Sequence, residues 1–284
     1  MTNLGTIRAL CEKYGFSLSK GFGQNFLVNP GVCPKICDTA KVDKNTNVLE
    51  IGPGFGTLTA ELAARAKQVV SVEIDQRLLP VLKETLEPYN NTKIVQGDVL
   101  KIDLAALLQQ EFGGPAVLCA NLPYYITSPV LMRLLEERLP LNSIVVMVQK
   151  EAAQRIAAKP GTRDCGAISY AVHYYADVKI AFDVQPGSFY PPPKVKSSVL
   201  NLRARKQVAL QQWPKRQTHL FELIRASFGQ RRKTLANSAS AGLQIEKEKM
   251  LKALQTAQLA PTIRPEQLTL EEYVRLEDAL WQLK

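Results

Sequence analysis

Long hydrophobic runs are absent from this 284-residue chain. No stretch approaches the roughly 18 consecutive apolar residues that a membrane-spanning helix needs. The first twenty residues mix charged and apolar side chains without a continuous hydrophobic segment, which is not typical of a secretory signal peptide. We therefore expect a cytoplasmic protein that does not associate with a membrane.

Histidine and cysteine are also scarce, with two and five residues respectively. The cysteines are scattered and odd in number, which favours free thiols in a reducing compartment over a disulfide framework. Cys33 and Cys37 lie four positions apart, but no second Cys or His pair has the spacing of a zinc site. We therefore expect no bound metal.

Acidic residues are almost missing from one segment, residues 194–233. This basic block contains eleven lysines and arginines against a single acid, Glu222, and so holds the entire net charge of +10. Such a one-sided block is typical of a surface that binds the phosphates of a nucleic acid, although a solvated charged face is the alternative. The residues from which we expect these contacts are Lys194, Arg225, Arg231, Arg232 and Lys233.

Short apolar runs alternate with amphipathic helical patterns from residue 47 onward. Seven of the runs predict strands, and the alternation indicates an α/β fold with an open sheet covered by helices on both faces. We expect a Rossmann-like, mostly parallel sheet whose last strand is antiparallel. After about residue 205 only helical spacing remains. The predicted domains are therefore residues 1–205 and a small all-helical domain, residues 206–284.

The glycine-rich segment Gly52-Pro-Gly54-Phe-Gly56 follows the first of these strands and opens a helix. In this context the backbone can approach a ligand closely. The dinucleotide fingerprint requires a glycine at position 57, which is Thr57 here, so NAD binding is disfavoured. The acid before the loop, Glu50, and the G-x-G-x-G form are instead similar to the first motif of S-adenosylmethionine-dependent methyltransferases. A structural tight turn is the alternative.

Two acids, Glu73 and Asp98, end the next two strands. A carboxylate at the first position can accept hydrogen bonds from both hydroxyls of a ribose, and one at the second can accept from an adenine amine. Either acid alone is equally compatible with capping a helix. Together with Gly52 and Gly54 they lie at consecutive strand ends on one rim of the sheet, which predicts a cofactor with ribose and adenine.

The segment Asn121-Leu-Pro-Tyr124 ends the fourth strand, beside the glycine loop. An aromatic amine is a poor nucleophile because its lone pair is delocalised into the ring. Carbonyls of the Asn121 side chain and the Leu122 backbone can accept from its two N–H bonds, which favours a pyramidal nitrogen aimed at a methyl donor. Pro123 fixes the turn, and Tyr124 can stack on the base. No general base is required, because the proton leaves after the nitrogen becomes cationic.

A second aromatic segment, Phe189-Tyr-Pro-Pro-Pro-Lys-Val195, stands beside the start of the basic block. We expect an exposed Phe189 that covers the other face of an extruded base. A core position for this phenylalanine is the alternative.

Four ordered motifs carry a family resemblance: Gly23-Gln-Asn-Phe-Leu27, Glu50-Ile-Gly-Pro-Gly-Phe-Gly56, Asn121-Leu-Pro-Tyr-Tyr-Ile-Thr-Ser-Pro129 and Phe189-Tyr-Pro-Pro-Pro-Lys-Val195. They resemble the ribosomal RNA adenine dimethyltransferases, in particular the bacterial small-subunit family associated with kasugamycin sensitivity. The similarity runs nearly end to end and includes Phe228-Gly-Gln-Arg-Arg-Lys-Thr-Leu235 in the helical region.

The resemblance implies an S-adenosylmethionine-dependent enzyme that dimethylates two adjacent adenosines in the 3′-terminal hairpin of small-subunit (16S) rRNA. The substrate would be a pre-30S or 30S particle and the enzyme a monomer. The resemblance also implies a methyltransferase domain with an N-terminal lid, residues 1–30, and an RNA-binding helical domain. It adds Asn25 and Leu27 to Gly52, Glu73, Asp98 and Asn121 as cofactor contacts.

Three alternatives stay open at the level of sequence. The macrolide-resistance methyltransferases of large-subunit rRNA share the fold and chemistry, but the segment after their Asn-x-Pro-Tyr motif tends to differ from Tyr-Ile-Thr-Ser-Pro. A DNA adenine methyltransferase is a weaker alternative. A non-catalytic RNA-binding assembly factor is the alternative outside enzymes, and the intact Glu73, Asp98 and Asn-Leu-Pro-Tyr argue against it.

Overall fold

A computed structural model describes residues 4–16, 25–230 and 232–283. The chain divides into two compact units. Unit 1 comprises Met1–Ala153 and Val178–Ala204, and unit 2 comprises Gln154–Asp177 and Arg205–Lys284. The sequence predicts a single boundary near residue 205, whereas in the structure the segment Gln154–Asp177 groups with the C-terminal helices.

The strands of the described chain form one large sheet and one small one. They are β1 (Phe26–Leu27), β2 (Asn47–Ile51), β3 (Gln68–Glu73), β4 (Thr92–Gln96), β5 (Ala116–Asn121), β6 (Leu141–Gln149), β7 (Ala176–Val184), β8 (Phe189–Tyr190) and β9 (Ser197–Ala204).

The α-helices of the same residues lie mostly between these strands and in the C-terminal region. They are α1 (Leu4–Lys13), α2 (Val32–Ala40), α3 (Thr57–Arg65), α4 (Leu79–Thr85), α5 (Leu104–Phe112), α6 (Thr127–Glu136), α7 (Lys150–Ala157), α8 (Ala167–Tyr175), α9 (Pro214–Ser227), α10 (Leu235–Leu243), α11 (Lys247–Thr256) and α12 (Leu270–Gln282). In the described part of the chain, no helix combines the length and hydrophobicity needed to cross a bilayer.

The large sheet has seven strands in the order β4-β3-β2-β5-β6-β9-β7. Strands β4, β3, β2, β5 and β6 pair in parallel, and β9 runs antiparallel to β6, with Val146 opposite Leu200. Strands β5 and β6 are almost wholly buried because helices cover both faces of the sheet. The predicted Rossmann-like sheet with an antiparallel last strand is confirmed.

The small sheet consists of β1 and β8, and the sequence does not predict it. Phe26 pairs with Tyr190 and Leu27 with Phe189, in antiparallel orientation. Two-residue strands give no periodic pattern, and these partners lie more than 160 positions apart in the chain. The pairing brings the N-terminal segment to the carboxyl edge of the large sheet, where β5 ends.

Unit 2 is held together around two buried tyrosines. The Tyr170 hydroxyl of α8 donates to the Leu268 carbonyl oxygen at 2.6 Å, and its ring lies 4.9 Å from the Tyr273 ring of α12. These contacts explain why the segment Gln154–Asp177 groups with the C-terminal helices. At the start of α12, Thr269 Oγ1 accepts from Glu272 N at 3.2 Å, as a capping box requires.

Candidate active site

A cavity of about 300 Å³ opens at the carboxyl ends of β2, β3, β4 and β5. Ligands of open α/β sheets bind at this edge. The structure brings together every residue predicted for the cofactor and for the acceptor motif. The predicted residues that line the cavity are Asn25, Leu27, Gly52, Gly54, Glu73, Asp98, Asn121, Leu122, Pro123 and Tyr124.

The glycine loop between β2 and α3 forms one wall. Gly52, Gly54 and Gly56 have φ angles of +71°, +61° and +81°, which non-glycine residues rarely adopt. A Cβ on Gly54 would lie 3.0 Å from a ring carbon of Phe26, so the N-terminal segment packs directly on the loop. A Cβ on Gly52 would meet no atom within 4 Å, which leaves this part of the backbone open to a ligand.

The Glu73 carboxylate is positioned by backbone donors at the end of β3. Its Oε1 accepts from Asp75 N at 2.8 Å, and its Oε2 lies 3.4 Å from Gly54 N. Only 4% of the residue is exposed, and this burial raises the pKa of the carboxyl above its ordinary value. Glu73 therefore links the glycine loop to the next strand end and presents a fixed acceptor to the cavity.

Glu50 lies on β2, two residues before Gly52, lines the cavity and is 1% exposed. Its Oε2 accepts from Ser71 Oγ at 2.7 Å. Burial raises the pKa of Glu50 to about 7, the Ser71 hydrogen bond opposes the rise, and the nearby charge of Glu73 adds to it. A cationic group bound in the cavity would favour the ionised form of Glu50.

Asp98 is the second residue of the segment that connects β4 to α5. Its Oδ1 accepts from Leu100 N at 2.9 Å, while Oδ2 lies 3.8 Å from the Lys101 ammonium. The first oxygen is therefore used to build a turn. The second is the acceptor that Asp98 can offer to a ligand in the cavity.

The Asn121 amide has a defined orientation at the end of β5. Its Nδ2 donates to the Asn25 carbonyl oxygen at 3.0 Å. Because the nitrogen is engaged by the N-terminal segment, Oδ1 is the amide atom that can accept from a substrate amine. The next residue, Leu122, donates its N–H to the Met147 carbonyl oxygen at 3.2 Å, which anchors the turn to β6.

The Tyr124 ring is half-buried at the cavity wall. Its hydroxyl lies 2.9 Å from Ser197 Oγ on β9, and burial raises the pKa of the phenol. This hydrogen bond fixes the edge of the ring and leaves its face to bound ligands. The arrangement can support stacking of a planar base beside the Asn121 acceptor.

The structure places Phe189 differently from the prediction. The sequence predicts an exposed ring, but the side chain is only 3% exposed and belongs to the core cluster that contains Leu27. Pairing of β8 with β1 buries it, and it does not line the cavity. The expectation of an exposed ring is wrong.

Tyr125 is a cavity residue to which the sequence assigns no role. It lies directly after the Asn-Leu-Pro-Tyr motif, lines the cavity and is 62% exposed. A second tyrosine beside the motif is visible in the sequence, but only the structure separates the anchored ring of Tyr124 from the exposed ring of Tyr125.

Four of the predicted RNA-contact residues, Lys194, Arg225, Arg232 and Lys233, do not line the cavity. Lys194 in unit 1 and Arg225, Arg232 and Lys233 in unit 2 are exposed, whereas Arg231 lies outside the described residues. Two cations of the basic block form ion pairs within unit 2. Arg216 donates to the fully buried Glu277 at 2.6 Å, and Arg205 pairs with Asp177 at 2.9 Å.

Across residues 4–16, 25–230 and 232–283, no group of three or more potential ligands could hold a metal ion.

A Rossmann-like sheet with this glycine loop, strand-end acids and Asn-Leu-Pro-Tyr motif defines the class of the protein as a methyltransferase. The family model described as Ribosomal RNA adenine dimethylase matches residues 15–280, and the chain belongs to that family. Two relatives named Ribosomal RNA small subunit methyltransferase A support this. The protein from Lysinibacillus sphaericus (strain C3-41) is 47% identical over 96% of this chain and 94% of its own. The protein from Geobacillus sp. (strain WCH70) is 45% identical over 97% of this chain and 96% of its own.

Two solved methyltransferase structures are similar to this chain over most of its length. A dimethyladenosine transferase from Plasmodium falciparum is similar with a TM-score of 0.71 and 28% identity, over 88% of this chain and 95% of that one. The 23S rRNA methyltransferase ErmE is similar with a TM-score of 0.66 and 26% identity, over 91% of this chain and 100% of that one.

Proposed function

We propose that this protein dimethylates the exocyclic amines of two adjacent adenosines in the 3′-terminal hairpin of small-subunit (16S) rRNA. The methyl donor is S-adenosylmethionine, and the substrate is a pre-30S or 30S particle during small-subunit assembly in the cytoplasm. The observation that carries the proposal is the orientation of Asn121, whose Oδ1 is the amide acceptor beside the cavity that Glu73 and Asp98 also line.

The residues around the cavity fit S-adenosylmethionine. Glu73 would accept from the ribose hydroxyls and Asp98 Oδ2 from the adenine amine, because these acceptors end neighbouring strands. The open space over Gly52 admits close approach of the ligand to the backbone. Asn25, Leu27, Gly54 and Asn121 complete the predicted cofactor contacts. When bound, the cofactor supplies an electrophilic methyl group on a sulfonium.

The acceptor residues act on the target amine. The Asn121 Oδ1 and the Leu122 carbonyl accept its N–H bonds and bring the nitrogen lone pair toward the methyl group, while Pro123 fixes the turn between them. Tyr124 stacks on the base, and its anchored hydroxyl limits rotation of the ring. The pyramidal ammonium that forms then releases its proton to water.

We assign RNA binding to the exposed cations of the basic block. Lys194, Arg225, Arg232 and Lys233 support this assignment by their exposure, and Arg231 remains part of it from sequence. Methyl transfer by the first domain, RNA binding by the second and a monomeric enzyme are parts of the same proposal. Large-subunit rRNA is less favoured as the substrate, because the small-subunit relatives are 45–47% identical and the 23S enzyme is 26% identical.

The substitution Asn121→Ala tests the proposal. We expect turnover to fall by about 10²–10³, as for other losses of one transition-state hydrogen bond, while affinity for RNA changes little. The matched control is Asn142→Ala, an exposed asparagine outside the cavity. Equal losses of turnover and RNA affinity in Asn121→Ala would remove Asn121 from the proposed role.

A further inference from the structure

We propose that Arg133 is a positioning residue for adenine recognition, an inference that rests on the proposed S-adenosylmethionine-dependent function. Arg133 lies on α6, the helix that follows the Asn-Leu-Pro-Tyr motif, and it does not line the cavity. Its guanidinium holds the segment between β4 and α5, residues 97–103, which carries Asp98 into the cavity wall.

Two hydrogen bonds join Arg133 to this segment. Nη1 donates to the Val99 carbonyl oxygen at 2.5 Å, and Nη2 donates to the Ile102 carbonyl oxygen at 2.6 Å. The third guanidinium nitrogen, Nε, donates to Oε1 of Glu137, the residue that caps the C-terminus of α6, at 2.5 Å. The Arg133 side chain is only 19% exposed, so these charged hydrogen bonds are partly shielded from water and correspondingly stronger.

The segment held by Arg133 is a turn built around Asp98. The Asp98 carbonyl oxygen accepts from Lys101 N at 2.8 Å and from Ile102 N at 3.0 Å, and Asp98 Oδ1 accepts from Leu100 N. Arg133 binds the carbonyls of Val99 and Ile102, which belong to this turn. Without the guanidinium both carbonyls lose a donor, and the turn can shift together with Asp98 Oδ2.

The planar guanidinium explains why this position carries arginine. Its fork can hold two carbonyl oxygens in fixed directions, whereas a lysine ammonium acts as a single point donor. Since α6 is the first α-helix after the acceptor motif, Arg133 ties the adenine end of the proposed cofactor site to the helix that follows Asn121–Tyr124. A role only in stability would affect binding of every cofactor analogue equally, whereas a positioning role is selective for the adenine amine.

The test compares two ligands by calorimetry: S-adenosylhomocysteine and its analogue in which hydrogen replaces the adenine amine. Wild-type protein should bind the complete ligand at least about tenfold more tightly, as expected for a hydrogen bond to a charged acceptor. Arg133→Ala should reduce this ratio toward one, and Arg133→Lys should give an intermediate value. The matched control is Arg65→Ala, which removes a partly buried arginine that pairs with Asp38 and Glu61 outside the cavity.

A wild-type ratio in Arg133→Ala, or an equal loss of the ratio in Arg65→Ala, would overturn the positioning role. If Arg133→Ala does not fold, Arg133→Lys decides, and a wild-type ratio in that variant counts against the proposal. Failure of the wild type to bind either ligand would instead overturn the proposed function, and the positioning role with it.

Discussion

Glu50 is the side chain of the site whose charge depends most clearly on its surroundings. It lies on β2 just before the glycine loop, it is almost wholly buried, and its pKa is raised to about 7. In the unfolded chain a glutamate ionises near 4.5. The folded protein therefore binds more protons than the unfolded chain between these values, and stability falls as the pH rises through this window.

Glu50→Gln should remove this pH dependence. We expect the free energy of unfolding of the variant, relative to wild type, to increase by about 3 kcal/mol between pH 4.5 and pH 7 and then to level off. Any packing effect of the amide shifts the free energy of unfolding of the variant equally at every pH. The quantity to measure by denaturant titration is therefore the change with pH of the difference between variant and wild type. Glu136→Gln, at an exposed position, is the control. A difference that does not change with pH would contradict the assigned ionisation of Glu50.

Phe189 can be tested as a core residue because the pairing of β8 with β1 buries it. Phe189→Ala should lower the free energy of unfolding by about 3–5 kcal/mol, the usual loss for a buried aromatic ring. Phe189→Leu should lose less stability and keep turnover within a few-fold of wild type, because a core position requires volume rather than an aromatic face. Loss of turnover in Phe189→Leu at nearly unchanged stability would instead support stacking on the substrate base.

Among the elements, the β2–α3 loop shows how one glycine-rich segment meets two different requirements. Gly54 is needed because the Phe26 ring of β1 leaves no space for a side chain, and at Gly52 we propose that the open space above the backbone admits the ligand. Both also have positive φ angles. The first requirement concerns packing of the N-terminal segment, and the second concerns the ligand.

Gly52→Ala should therefore separate folding from binding. We expect a stability loss of about 1–2 kcal/mol from the left-handed backbone conformation and a much larger loss of S-adenosylmethionine affinity, of about tenfold or more. Gly113→Ala, at a glycine outside the cavity that also has a positive φ (+61°) and open space around it, is the matched control. Unchanged cofactor affinity in Gly52→Ala would place the ligand away from this part of the loop.

The sequence predicts the large sheet well because each strand carries a local signal. Strand β5 is a continuous apolar run, and the glycine loop and strand-end acids follow their strands directly in the chain. The pairing of β1 with β8 and the hold of Arg133 on the Val99 and Ile102 carbonyls depend on contacts between distant parts of the chain. Neither leaves a periodic pattern or a motif, so both become visible only in the structure.

Over the whole molecule, the net charge of +10 is the property that concerns RNA most directly. Part of the basic block serves the fold, because Arg216 neutralises the buried Glu277 in unit 2. The remaining exposed cations include Arg225, Arg232 and Lys233. Neutralising cations that contact phosphate weakens binding uniformly across sequences and reduces its dependence on salt.

Arg225→Gln and Arg232→Gln should each reduce the slope of log affinity for RNA against log salt concentration by about one. Lys67→Gln, at an exposed lysine outside the basic block, should leave the slope unchanged. Affinities measured across a range of potassium concentrations give the slopes. Wild-type binding that does not respond to salt would contradict the assigned phosphate contacts.

Methyl transfer to ribosomal RNA is the central claim for the molecule as a whole. The most direct measurement incubates the protein and labelled S-adenosylmethionine with small ribosomal subunits that lack the adenosine methyl groups, and then maps the modified positions. We expect four methyl groups per subunit, two on each of two adjacent adenosines in the 3′-terminal hairpin, and an initial rate lower by about 10²–10³ when Asn121→Ala replaces the wild type. Methylation confined to large-subunit rRNA, or absent from both subunits, would contradict the proposed methylation of small-subunit rRNA.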